Sequence, residues 1–129
     1  MGPKINIEPD CGNSPRKQFL KELYTAFANA DVEVINEIIP QDISWIIVGN
    51  KKVQGLAHYV TELKRQPSWK VKELTIDTII THGPEASASG QIITADDKKF
   101  SFCDVYKFKR AGGTTISTIT TFMIKSENK

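Results

Sequence analysis

In the first part of the chain, apolar residues recur at helical spacing. Ser14 and Pro15 predict a helix start, because a hydroxyl caps the helix end and proline fits its first position. Asp31 can cap a second helix, which Pro40 ends. The stripe that follows i, i+3, i+4, i+7 spacing in the first helix consists of Leu20, Leu23, Tyr24 and Phe27.

Further along the chain the apolar spacing changes to two. Residues 43–48 predict a short strand, and Gly55 precedes a third amphipathic helix that Pro67 ends. From Trp69 onward, alternation predicts four long strands joined by short turns. Those strands span residues 69–82, 86–94, 100–109 and 114–125.

This order of elements predicts an α+β fold. Three helices come first, with one strand among them, and an antiparallel meander follows, so the helices should pack on one face of the sheet. Residues 1–13 carry no periodicity, and we expect them to form a flexible N-terminal arm. Residues 14–126 should then form a single domain.

One carboxylate interrupts an aromatic strand face in the segment FSFCDVYKFK. Asp104 lies on the same side of this strand as four aromatic residues, since successive side chains point to opposite faces. Burial would raise the pKa of this carboxyl group, so that it stays neutral and donates a hydrogen bond in an apolar pocket. Alternatively, Asp104 is structural and bonds to Thr120, Tyr24 or a buried water. The four aromatic residues are Phe100, Phe102, Tyr106 and Phe108.

The register of the last hairpin decides which side chains share this face. A loop of three residues at 111–113 would pair Phe108 with Ile116 and Asp104 with Thr120. The opposite face of the hairpin would then be unusually apolar for a free surface, which predicts a homodimer through the outer sheet face. The residues expected in that interface are Cys103, Val105, Ile119, Thr121 and Met123.

Composition and charge exclude several other functions. The net charge of +2 is spread along the chain with no basic stripe, so we expect no nucleic-acid partner. No apolar run predicts a membrane span or signal segment, and two cysteines are too few for a disulfide framework, so a cytoplasmic protein is expected. Neither a metal-ligand cluster nor a phosphate-binding glycine loop is present in the sequence, and we expect no metal and no cofactor.

The order of motifs resembles the nuclear transport factor 2-like superfamily, especially its SnoaL-like and ketosteroid isomerase-like branch. The resemblance rests on the first helix running into NADVEVI, then DISWIIVG, a glycine-led helix and CDVYKF. It implies a strongly curved, mostly antiparallel sheet that wraps the three helices into a cone with a pocket. The residues expected to line this pocket are Tyr24, Trp45, Ile47, Tyr59, His82, Phe102, Tyr106, Thr120 and Phe122.

The resemblance also implies roles for individual residues. Asp104 matches the aspartate that ketosteroid isomerase keeps neutral to donate a hydrogen bond. The helix tyrosine of that enzyme matches Leu23, with Tyr24 one position later, and its aspartate base matches Ile47. A missing base argues against ketosteroid isomerase activity. Two functions therefore remain: binding of a small hydrophobic molecule, with acid-assisted isomerase, cyclase or dehydratase chemistry at Asp104, or a noncatalytic dimeric interaction domain with a vestigial cavity.

Overall fold

The structure, a computed structural model, describes residues 2–8 and 14–126. In these residues the chain forms three helices and seven strands. The helices are α1 (Pro15–Ala28), α2 (Val32–Ile38) and α3 (Leu56–Arg65). The strands are β1 (Lys4–Ile7), β2 (Ser44–Ile47), β3 (Lys51–Gln54), β4 (Val71–His82), β5 (Glu85–Thr94), β6 (Lys99–Phe108) and β7 (Ile116–Lys125).

The capping residues start the first two helices as the sequence predicts. The Ser14 side chain accepts a hydrogen bond from the backbone N–H of Lys17, and the Asp31 side chain accepts one from Val34. Each cap satisfies a backbone donor that has no partner inside its helix. Both helix predictions are confirmed.

All seven strands join one mixed sheet in the order β1-β4-β5-β6-β7-β2-β3. The pairs β1–β4 and β2–β7 are parallel, and the other four neighbouring pairs are antiparallel. The predicted α+β fold with a mostly antiparallel sheet is confirmed. The sequence analysis missed β3, whose short alternation follows directly after a turn at Gly49 and Asn50.

The prediction of a flexible arm is wrong for Lys4–Ile7, which forms an edge strand. Ile5 and Ile7 pack against the hydrophobic core, and the Asn6 side-chain amide donates hydrogen bonds to Glu73 and Thr75. Four residues are too few for alternation to identify a strand, and its partner β4 is distant in sequence. The remainder of the expected arm, at residues 1 and 9–13, lies outside the described residues.

A buried arginine holds α1 against two turns of the sheet. The Arg16 guanidinium donates hydrogen bonds to the backbone carbonyls of Gly83, Arg110 and Gly113. It also lies over the Phe108 ring, 4.3 Å from the ring centroid. Because carbonyl oxygens and an aromatic face satisfy this cation, it can be buried without an acidic partner.

The sheet bends where a bulge meets a glycine. The pairing of β4 with β5 shifts register between Ile76 and Thr78, and Gly90 lies opposite Ile76. A Cβ atom on Gly90 would come within 1.8 Å of the Thr75 carbonyl oxygen, so only glycine permits this approach. Bulges bend and twist the strand that carries them, which is how a sheet of this kind becomes curved.

A second bulge overturns the predicted register of the last hairpin. Phe108 pairs with Ile116 as expected, but the next pair is Lys107 with Thr118, so Ser117 is an extra residue. Beyond it every pair differs by one position, and Asp104 lies opposite Thr121 rather than Thr120. Because side chains alternate, a shift of one residue exchanges the two faces of β7. Ile119, Thr121 and Met123 therefore lie on the concave face, and Thr120 and Phe122 on the other.

We call the convex side of the sheet the outer face. Two rows of cross-strand neighbours cross it from β4 to β2, and none of the side chains in these two rows is charged; beyond them, Lys52 of β3 lies opposite Ile46 and Lys107 lies opposite Glu85. Phe122 and Val48 are both about half exposed there, at 46% and 47%, and Ile80 is 57% exposed. The first row is Ile80, Ser87, Val105, Thr120 and Ile46; the second is Thr78, Ser89, Cys103, Phe122 and Val48.

None of the helices in residues 2–8 and 14–126 has the length and hydrophobicity that crossing a membrane requires.

Candidate functional site

A cavity of about 80 Å³ lies between the three helices and the concave face of the sheet. Its wall is mostly aliphatic and aromatic, and among the described residues that line it Asp104 is the only carboxylate. The lining residues are Leu23, Tyr24, Phe27, Ile35, Trp45, Ile47, Tyr59, Leu63, Gln66, Ser68, Ile92, Phe102, Asp104, Tyr106, Ile119, Thr121 and Met123. An apolar pocket with few polar groups is the usual form of a small-molecule site.

Both oxygens of the Asp104 carboxyl group accept hydrogen bonds. The Tyr24 hydroxyl donates to Oδ2 at 2.5 Å, and the Thr121 hydroxyl donates to Oδ1 at 2.7 Å. Behind these donors, the Tyr106 hydroxyl donates to the Tyr24 hydroxyl at 2.7 Å, and Trp45 Nε1 donates to Thr121 Oγ1 at 2.8 Å. Two chains of donors from α1, β2, β6 and β7 thus converge on one carboxyl group, which fixes its position.

Burial governs the protonation of this network. It raises the pKa of Asp104, and the hydrogen bonds from Tyr24, Thr121 and Tyr106 oppose that rise without cancelling it. Burial also raises the pKa values of Tyr24 and Tyr106 well above 10, and the nearby Asp104 charge adds to both. The tyrosines consequently stay protonated as donors, and burial favours the neutral form of Asp104.

The two interpretations of Asp104 each find support in this geometry. Its bonds to Tyr24 and to a threonine are those expected of a structural acid, although the threonine is Thr121 rather than Thr120. Its place on the cavity wall, where it remains partly exposed, is that expected of a group that meets a ligand. Its catalytic role remains a prediction.

Six of the nine residues predicted to line a pocket surround the cavity: Tyr24, Trp45, Ile47, Tyr59, Phe102 and Tyr106. The other three do not. Thr120 and Phe122 lie on the outer face because of the bulge at Ser117. His82 is exposed at the end of β4, paired with Glu85 beside the turn at Gly83.

The same bulge divides the residues predicted for a dimer interface. Cys103 and Val105 lie on the outer face as expected, but Ile119, Thr121 and Met123 line the cavity instead. Thr121 is therefore a site residue that sequence reasoning misplaced. One signal could have found it, since a buried tryptophan such as Trp45 requires an acceptor for its indole N–H.

Two polar lining residues went unnoticed in the sequence. Gln66 and Ser68 follow α3 in a loop that also contains Pro67, and such a loop carries no periodicity. At the position of the isomerase base, Ile47 is apolar and buried. Within the described part of the chain, no group of three or more His, Cys, Asp or Glu residues is arranged to hold a metal ion.

No family model matches the chain, and no curated protein matches its sequence.

Solved structures share its fold. An NTF2-like protein of unknown function from Cytophaga hutchinsonii is 25% identical, with a TM-score of 0.64 over 84% of this chain and 99% of that one. An NTF2-like protein of unknown function from Burkholderia xenovorans is 12% identical, with a TM-score of 0.74 over 88% and 85%. A putative SnoaL-like polyketide cyclase from Shewanella denitrificans is 15% identical, with a TM-score of 0.70 over 86% and 92%. The chain therefore has the nuclear transport factor 2-like fold, and at the level of that superfamily the resemblance seen in its sequence is confirmed.

Proposed function

We propose that the chain binds a small, mostly apolar molecule that carries a carbonyl oxygen, with this oxygen at Asp104. The observation that carries the proposal is a single carboxyl group on an otherwise apolar cavity wall, held there by hydrogen bonds from Tyr24 and Thr121. A raised pKa favours the neutral acid, which can donate a hydrogen bond to the ligand. An isolated charge would be costly at this position, whereas a neutral acid is compatible with an apolar ligand.

The chemistry that this arrangement can support is acid assistance. A hydrogen bond from Asp104 to a carbonyl oxygen stabilises negative charge that develops there, as isomerase, cyclase and dehydratase reactions require. The similarity to a putative SnoaL-like polyketide cyclase fits this class of reaction. Because Ile47 cannot accept a proton, any proton transfer would have to use Asp104 itself or the ligand's own groups.

The cavity volume limits the ligand. At about 80 Å³ it is roughly half of the engineered 150 Å³ cavity that accepts benzene. Acetone is a suitable probe because it carries one carbonyl group and is smaller than benzene. The small volume also favours the second candidate function, a noncatalytic interaction domain whose cavity is vestigial.

Calorimetric titration with acetone and with isobutene separates the two functions. The probes have nearly the same shape, but only the ketone accepts a hydrogen bond. We expect the wild type to prefer the ketone, Asp104→Leu to lose this preference, and Asp104→Asn to keep most of it because the amide can still donate. Failure of the wild type to bind either probe would contradict the proposal and support a vestigial cavity.

We also propose that the outer face pairs with the same face of a second copy. The two rows defined above hold no charged side chain between β4 and β2, so a two-fold axis through their middle brings uncharged side chains of the two copies together. The half-exposed Phe122 and Val48 are adjacent large apolar side chains, which single out this region as a contact surface. The corrected residues for the contact are Phe122, Val48, Val105 and Cys103, in place of Ile119, Thr121 and Met123.

A further inference from the structure

The cavity reaches the protein surface between α1, α3 and β7. Most of the side chains that line it are buried, and besides Asp104 only three of them are partly exposed. These are Phe27 near the end of α1, Gln66 directly after α3, and Met123 on β7. A lining residue that is also partly exposed lies where the cavity wall meets the surface, so these three residues mark the entrance.

A depression in the surface adjoins this entrance. Gln66 lines both the cavity and the depression, which has a volume of about 300 Å³. Trp69 forms another part of the depression and packs against Phe27 edge to face, with ring centroids 5.8 Å apart. A ligand that is longer than the cavity would therefore pass Gln66 and continue into the depression.

Three lysines surround the entrance, and we call them the entrance lysines. Lys64 and Lys70 line the depression, and Lys125 lies on the concave face of β7, two positions beyond Met123. All three residues are exposed, and none of them forms an ion pair within the described part of the chain. Cations grouped in this way create a positive potential that attracts an anion.

The acidic residues beside the entrance already have cations of their own. Asp96, in the depression, pairs with Lys98 at 3.4 Å. Glu62 is buried, accepts a hydrogen bond from Gln66 at 2.7 Å and pairs with Lys51 at 3.2 Å. The charges of the three entrance lysines are therefore left for a group that comes from outside the chain.

We propose that the ligand is an oxo acid, whose carbonyl group enters the cavity while its carboxylate stays outside among the entrance lysines. This inference rests on the proposed binding function and adds the substrate class to it. The carboxylate cannot follow the carbonyl group inwards, because the cavity wall is apolar and offers no cation to balance the charge. A short apolar chain that crosses the entrance would join the two groups.

Two probes of equal length test the inference. The first is 5-oxohexanoate and the second is 5-oxohexanamide; they share a methyl ketone and an apolar chain, but only the first is charged. We expect the wild type to bind the acid about 3- to 10-fold more tightly at low salt, the usual effect of one or two exposed ion pairs. In about 1 M sodium chloride the preference should disappear, because the screening length falls to about 3 Å. Calorimetric titration measures both affinities.

A triple variant removes the entrance lysines without removing their aliphatic stems. We expect Lys64→Met, Lys70→Met and Lys125→Met together to make the affinities for the acid and the amide equal. The affinity for the amide should match that of the wild type, which shows that the cavity itself is intact.

A second triple variant is the matched control. It carries Lys52→Met, Lys107→Met and Arg110→Met, which remove the same number of charges from exposed positions on the outer face and at the turn that follows β6. This variant should keep the preference for the acid. An equal loss in the control would overturn the inference, because overall charge rather than the entrance would then attract the acid.

The outcomes separate the inference from the proposed function. If the wild type prefers acetone to isobutene but binds the acid and the amide equally well, the proposed function stands and the inference is refuted. If the wild type binds none of these ketones, both are refuted.

Discussion

The two faces of strand β6 differ in how their side chains are packed and hydrogen-bonded. On the concave face Asp104 is surrounded by groups from distant parts of the chain that supply its hydrogen bonds, including Tyr24 and Thr121. On the outer face the neighbouring side chains of Cys103 and Val105 are partly exposed, beside the half-exposed Phe122. The concave face satisfies its one carboxyl group with partners from the same chain, whereas the outer face leaves apolar side chains partly exposed.

This difference indicates which face is suited to recognising a ligand and which to associating with another protein surface. A satisfied polar network fixes a single arrangement of its members, because any displacement leaves a buried donor or acceptor without a bond. The partly apolar central rows of the outer face impose no such arrangement and favour contact through buried area. The concave face is therefore suited to recognising one polar atom, and the outer face to binding another surface.

The largest expected effect is a loss of stability in Gly90→Ala, and this variant tests the bend that forms the concave face. Gly90→Ala places a methyl group on backbone atoms of Thr75, which cannot move without breaking the β4–β5 pairing. We expect the free energy of unfolding to fall by about 3 kcal/mol or more, or the chain not to fold. Ser89→Ala, one residue away on the outer face, should change it by less than about 0.5 kcal/mol. Denaturant unfolding measures both, and a well-folded Gly90→Ala would show that the bend tolerates a side chain.

The local parts of this architecture could be predicted from the sequence. Caps such as Ser14 and Asp31 act within one turn of helix, and alternation over ten residues identifies β6 without knowledge of its neighbours. These signals need only residues that are close in the chain. For the same reason the inward direction of Asp104 followed from its aromatic neighbours.

The assignment of residues to the faces of β7 could not be predicted in the same way. Adding Ser117 to one strand changes the partner of every residue beyond it, and serine carries no distinctive preference for a bulge. The sequence predicted that Phe122 faces the core, because this register buries the larger apolar side chain. In the structure the smaller Thr121 faces the core instead, where it bonds to both Asp104 and Trp45. The strand β1 was missed because its stability comes from β4, more than sixty positions away.

A smaller effect is expected from a charge on the outer face. Phe122→Lys puts an ammonium group at a proposed two-fold contact, next to Cys103 and Val48. We expect the dimer dissociation constant to rise at least about 30-fold, which corresponds to about 2 kcal/mol. Thr61→Lys makes the same change of charge at an exposed position of α3 and should leave association unaffected. Sedimentation measures both, and a monomeric wild type would remove the proposed contact.

The smallest expected effect is a change in how the free energy of unfolding depends on pH. It tests the concave face most directly, because the group that titrates is Asp104. Because burial raises the pKa of Asp104 above 3.8, the folded chain binds this proton more tightly than the unfolded chain does. The contribution of Asp104 to the free energy of unfolding therefore falls as pH rises from about 3.8 through the raised pKa, and is constant above it.

Asp104→Asn isolates this contribution, since the amide cannot titrate and is nearly isosteric with the acid. Other carboxylates change with pH in the opposite sense, such as Asp42, whose pKa is lowered by its hydrogen bond from Lys109. The contributions of these carboxylates are the same in the wild type and the variant, so they cancel in the difference between the two free energies of unfolding. We expect the wild type to lose stability relative to Asp104→Asn as pH rises, in denaturant unfolding at a series of pH values. A difference that moves the other way would mean that the bonds from Tyr24 and Thr121 outweigh burial, and that Asp104 is a charged acceptor rather than a neutral donor.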